Sequence, residues 1–325
     1  MSASTSARRI ARFPFPFPQE HYRYSTNVEP ARVPVRTAVG EWGRWMIDVD
    51  DEYEEELALR ATIIERDPTR LVVLEHMRAA CWDTLMLCLE EAAHSDPEHM
   101  SFVRDGEHHV WSNARLGEER RFRFADEDSL GAEPLAYAGS QVQEDLVLLD
   151  QREGQLWADA GLVTFAADWS LRFDVGMPFL QIHGPVPRVH AEGVIPRAHR
   201  FLMRLEPHKP YRRTNWTMSI DRTLDQSTEA YPVWGPDRAA IVDDPALGDR
   251  LQLRVEVQHL IRLPTSGAVL FLIRTSMLSL RELATVPEWA ARFGSVLREL
   301  PQDMVDYKGL TRYRDPAAAW LEAHA

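Results

Sequence analysis

Five apolar runs between Asp145 and Met277 constrain the fold of this chain more than any other feature. The segment DLVLLDQREGQLWADAGLVTFAADW holds two β-rich runs separated by a polar turn around Gln151 to Gly154, which predicts an antiparallel pair. Several prolines and a short helical stretch, PRAHRFLMRLEP, come next. Three further strand candidates follow: TNWTMSID (Thr214 to Asp221), LQLRVEVQHLIRL (Leu251 to Leu263) and AVLFLIRTSM (Ala268 to Met277), the last two joined by the turn PTSG. Two strands, a helical crossing segment and three strands make an α+β protein with one antiparallel sheet.

The flanks read as extensions of that core. Alternating proline in FPFPFP forces extended geometry, so Phe13, Phe15 and Phe17 are expected along the body as an arm, a disordered leader being the alternative. DEYEEELALRATIIERD from Asp50 reads as a helix stopped at Asp67-Pro68, and a second helix is expected from about Thr69 to Ala93. EWAARFGSVLREL and DPAAAWLEA read as amphipathic helices, with Asp315-Pro316 suited to the cap and first turn of the second. The expected partition is residues 1–139 as N-terminal arm and helical region, 140–277 as core, and 278–325 as C-terminal helical segment, together one compact unit.

Acids outnumber Lys and Arg by 50 to 37, a formal net charge of −13 that argues against nucleic acid as partner. Only SARRIARF carries the opposite sign, and it is too poor in apolar residues for a secretory signal. No run approaches the ~18 apolar residues of a membrane span, so a cytoplasmic protein that avoids membranes is expected. Cys81 and Cys88 share a helical stripe with Leu74, Met77 and Leu85. About 10 Å of helical rise separates them, beyond the roughly 7 Å a disulfide spans, so they are expected as reduced core thiols.

His183, in LQIHGPVP, has the surroundings an axial metal ligand needs: apolar neighbours Leu180, Ile182 and Val186, and a backbone stiffened by Pro185 and Pro187. Taken locally, a buried histidine satisfied by a backbone carbonyl is the favoured reading. His94, His99, His108 and His109, scattered between residues 94 and 133, lack the i, i+4 spacing of a helical zinc motif, and a solvated loop is expected there. Serine-hydrolase, phosphate-loop and dinucleotide-binding signatures are absent from the sequence.

Seven collinear blocks carry a resemblance: WMIDVDDEY with Arg60, QEDLVLLD, AGLVTFAADW, LQIHGPVP, RRTNW, LRVEVQHLIRLPTSGAVLFLIRT and LPQDMVDYKGL. From about Trp45 nearly to the C-terminus the chain resembles the α subunit of the haem-dependent oxidative N-demethylases. That resemblance implies a PAS-like antiparallel sheet with a haem-binding crossing segment, extended by N- and C-terminal helices. It also implies a haem-dependent monooxygenase that removes a methyl group from a small secondary amine such as dimethylamine, using O2 and releasing formaldehyde and primary amine. The cofactor implied is haem b. Electrons are expected from NADPH through a separate flavin/iron–sulfur reductase, and further subunits are expected beside it.

On this footing His183 is the expected iron ligand, with His190 and His199 next in line. Strand alternation puts Arg254, Glu256 and Gln258 on one face and Val255, Val257 and His259 on the other. The polar face either meets solvent or lines the haem pocket. The resemblance favours the pocket, with Glu256 holding the ammonium group, Arg254 polarising iron-bound oxygen, and the two partly neutralising one another. From RTNW, Arg213 is expected on a propionate, Asn215 as a donor into the pocket, and Trp216 on the haem edge or, equally, in simple core. Tyr211, Arg212, Arg222 and Tyr231 are weaker candidates. Rival readings are an oxygen sensor or carrier of the same fold without turnover, and an enzyme for a different nitrogen compound.

Overall fold

The computed structural model describes residues 3–188 and 192–325. Its centre is one antiparallel sheet built from β1 (Asp145–Arg152), β2 (Gln155–Leu162), β3 (Tyr211–Ile220), β4 (Leu251–Arg262) and β5 (Val269–Ser279). Their order in space is β2-β1-β5-β4-β3, extended beside β3 by Glu29–Pro30 and beside β2 by Leu71–Val73. The β1/β2 turn narrows to Glu153 and Gly154, both at positive φ (54° and 71°), as a two-residue hairpin loop in a right-twisted sheet requires. The β3/β4 register sets Arg213 opposite Gln258, Asn215 opposite Glu256 and Thr217 opposite Arg254.

The longer helices are α1 (Ala3–Arg12), α2 (Tyr53–Arg66), α3 (Arg78–Ser95), α5 (Pro287–Glu299) and α6 (Arg314–Glu322) in the flanks, and α4 (Val194–Leu202) in the crossing segment. Val255, Leu253, Met218 and Leu278 pack with Trp289, Phe293 and Leu321 from the C-terminal helices, and with Phe13 and Phe17 from the N-terminus. Toward the other end, Leu146, Leu148, Leu270 and Leu272 pack with Leu85, Leu89 and Cys88 of α3. On the opposite face, Phe179, Ile195 and Leu202 of the crossing segment pack on Leu149, Leu260 and Val269. The expected N-terminal, central and C-terminal segments thus share their apolar clusters.

Several local expectations are corrected. The helix expected from Thr69 begins at Arg78, because β-branched Val72 and Val73 pair with β2 instead, in the register Val72↔Gly161. The segment 94–133 is not a loop: Met100–Asp105, His108–Asn113 and Glu118–Phe122 form a three-stranded sheet whose alternation buries Trp111 and Phe122. His99 hydrogen-bonds Asp96 there, and His109 stacks on Phe102. The N-terminal arm starts as a helix, α1, before FPFPFP extends, and the last helix starts at Arg314 after Tyr313 rather than being capped by Asp315.

Candidate functional site

A short helix, Phe179–Ile182, ends at His183. The carbonyl of Phe179 accepts both the His183 backbone N–H (3.2 Å) and a hydrogen bond from Nδ1 (2.9 Å), and the Phe179 ring lies 4.1 Å from the imidazole. That bond assigns the proton to Nδ1 and leaves Nε2 with its lone pair and no protein partner among the described residues. Burial, helped by the Arg213 charge, pushes the pKa of His183 down to about 4. The ring is therefore neutral at physiological pH. His199 on α4 is the neighbouring imidazole, 6.2 Å from Phe179, buried and with Nε2 unpartnered. His190 lies outside the described residues.

The sheet face beneath this segment carries the polar cluster. Arg254 is 0% exposed and Glu256 6%, so alternation does not turn this face to solvent. The Glu256 carboxylate accepts from Gln258 Nε2 (3.0 Å) and Asn215 Nδ2 (3.4 Å), and Arg254 Nε stands 3.8 Å away. Arg213 donates from Nη1 to Gln258 Oε1 (3.0 Å) and from Nε to the carbonyl of Thr26 (3.2 Å). Its charge reaches both His183 and Glu256. Arg213, Asn215, Glu256 and Gln258 thus come together, on the face that also packs Phe179 and Leu180.

Arg254 is placed differently from its expected role, and Trp216 takes the core reading of its two. Arg254 spends its guanidinium on the protein: Nη1 donates to the carbonyls of Leu224 (3.0 Å) and Thr223 (3.4 Å), and Nη2 to the Phe165 carbonyl and to Thr275 Oγ1 (3.3 Å). No Nη donor is left over to polarise a ligand. Trp216 points to the other face, opposite Val255, where it packs edge-on against Phe17 (5.2 Å) and Phe293 (5.7 Å). The alternation that groups Glu256 with Gln258 also separates Asn215 from Trp216, so Trp216 is core and not part of the His183 side. Of the weaker candidates, Arg212 is tied to Glu29, Gly43 and Val33, Arg222 to Glu52, and Tyr231 is exposed.

Sequence reasoning missed the pair Tyr307 and Lys308. Lys308 Nζ donates to the Trp216 carbonyl (2.6 Å) on the outer edge of β3, beyond the stretch paired with Glu29–Pro30, and burial beside Arg213 lowers its pKa to about 8, opposed by Glu256. The Tyr307 phenol feels Arg213, Glu256 and Tyr24. The signal was present in the block LPQDMVDYKGL, which is distant in sequence from the other polar residues.

The residues present suit a haem. A metal-ligating histidine characteristically donates its other ring N–H to a carbonyl, as His183 does. The apolar side chains of Leu180, Ile182, Val186, Val147 and Phe271 remain only partly buried on the cluster that contains Phe179, and Arg213 offers a cation. In comparison with known protein families, residues 40–318 match the one described as haem-dependent oxidative N-demethylase, alpha subunit-like.

Proposed function

Because the chain belongs to the haem-dependent oxidative N-demethylase, alpha subunit-like family, we propose that it is the catalytic subunit of an enzyme that demethylates a small secondary amine. The observation that carries this reading is the buried Glu256 carboxylate, held by Gln258 and Asn215 on the sheet face that packs the His183 segment. The order β2-β1-β5-β4-β3 around a helical crossing segment supports a PAS-like core. Haem b held by His183, with Arg213 on a propionate, supplies oxygen activation with electrons from NADPH through a separate flavin/iron–sulfur reductase.

The chain's own groups bind and orient the amine. Glu256 holds the protonated nitrogen in a charge-assisted hydrogen bond, and Asn215 and Gln258 both donate to its Oε2 so that the carboxylate keeps one orientation. Arg254 touches neither amine nor oxygen; it is a positioning residue that ties β4 to the loops at Phe165 and Leu224 and supports the Glu256 charge. The net change is loss of one methyl group as formaldehyde, with primary amine and one water released and O2, two electrons and two protons consumed.

The test is formaldehyde release from dimethylamine by the haem-loaded chain with an electron donor, in parent and Glu256→Gln. Losing a buried charge-assisted contact costs about 1.5–3 kcal/mol, so the amine concentration for half-saturation rises roughly ten- to hundred-fold while haem content is unchanged. Equal half-saturation in the two proteins removes Glu256 from the amine site.

A further inference from the structure

Helix α4 has two unlike faces. Ile195, His199 and Leu202 are buried toward Phe179, whereas Arg197 and Arg200 are exposed, and Arg204, just past the helix, continues their stripe. Arg197 donates to the Glu192 carbonyl (2.8 Å); among the described residues Arg200 and Arg204 have no hydrogen-bond or ion-pair partner, and the nearby acid Glu206 is taken by Lys209 (2.6 Å). With 50 acids against 37 Lys and Arg in the chain, three guanidiniums without an acid are a local reversal of sign. They rim a surface pocket of about 320 Å³ that also contains Leu205 and an edge-to-face pair, Phe201 and Tyr211, with centroids 5.0 Å apart. A basic rim around an apolar floor is the make-up of a protein-docking patch.

The stripe also lies directly outside the proposed haem site. His199, next to Arg200, faces the Phe179 ring at 6.2 Å, and Phe179 faces His183 at 4.1 Å, so two rings lie between the stripe and the proposed ligand.

We propose that Arg197, Arg200 and Arg204 form the docking surface for an acidic iron–sulfur electron carrier that reduces the haem at His183. The carrier's cluster gives up one electron and the haem iron goes from ferric to ferrous; no bond is made or broken. This inference rests on the proposed haem site. Unlike charges steer the encounter, an effect that salt screens.

The probe is a plant-type [2Fe–2S] ferredoxin, a soluble acidic one-electron donor, used with the full chain. Calorimetric titration measures its binding to the haem-free and haem-loaded protein, and stopped-flow absorbance measures haem reduction by the reduced ferredoxin without oxygen. The triple variant Arg197→Glu/Arg200→Glu/Arg204→Glu is expected to weaken binding and slow reduction at least ten-fold at low salt. The gap should close at high salt, with dithionite reduction and the Soret band unchanged and Arg312→Glu behaving like the parent. Absence of ferredoxin binding to the parent, or a triple variant that binds and is reduced like the parent, overturns the docking surface while leaving the haem site standing. Stripe-dependent binding by a chain that holds no haem instead overturns the haem site and the electron transfer with it.

Discussion

Arg254 and His259 lie on opposite faces of the same strand and show how burial decides what a polar side chain does. Arg254 is fully buried and its Nη donors meet protein oxygens, so removing it leaves carbonyls and the Glu256 charge without compensation. Arg254→Leu should cost about 3–5 kcal/mol in denaturant unfolding, the range for breaking a buried ionic network from one side; a loss below about 1 kcal/mol would return the residue to a role on the ligand. His259 is 2% exposed with both ring nitrogens unpartnered among the described residues, and burial with the Arg212 and Arg32 charges pushes its pKa down to about 3. Its folded value lies below the unfolded one, near 6.5, so the unfolded state binds the extra proton and stability falls as pH drops from 6.5 toward 3. His259→Leu should flatten that part of the stability–pH curve, measured by thermal unfolding across the range. An unchanged slope would mean that the imidazole is not held neutral by the core.

At the scale of elements, FPFPFP binds the N-terminus to the sheet. Phe17 stacks on Phe293 of α5 (5.3 Å, 13° between planes) and meets Trp216 of β3 edge-on, so it bridges a helix and the strand that carries Arg213 and Asn215. Truncating a buried phenylalanine costs about 3–5 kcal/mol, and Phe17→Ala should lose that much on denaturant titration. A near-neutral result would mean that the arm only rests on the surface. The central strands were legible because period-two apolar runs bounded by Gly, Pro and Asp leave few alternatives. Short edges were not: Leu71–Val73 looks like the start of α3 by hydrophobicity, and the charged sheet 100–122 hides among acids the alternation of Met100, Phe102, Trp111 and Phe122 on its inner side.

For the whole molecule, the site is assembled from segments that no window of sequence joins. His183 comes from the crossing segment, Arg213 and Asn215 from β3, Glu256 and Gln258 from β4, and Tyr307 with Lys308 from the C-terminal region. Alternation made the Arg254/Glu256/Gln258 face readable, but not which donors Arg254 would spend on loop carbonyls, since Phe165 and Leu224 approach only through the tertiary fold. The central claim is that these segments close around a haem ligated by His183. The visible absorption spectrum of the purified protein, as isolated and after haem addition, tests it most directly. A Soret band at about one haem per chain is expected in the parent, and loss of that ligation in a His183→Ala protein that remains folded by circular dichroism. An unchanged Soret band and ligation in that variant, or a parent that takes up no haem, would contradict it.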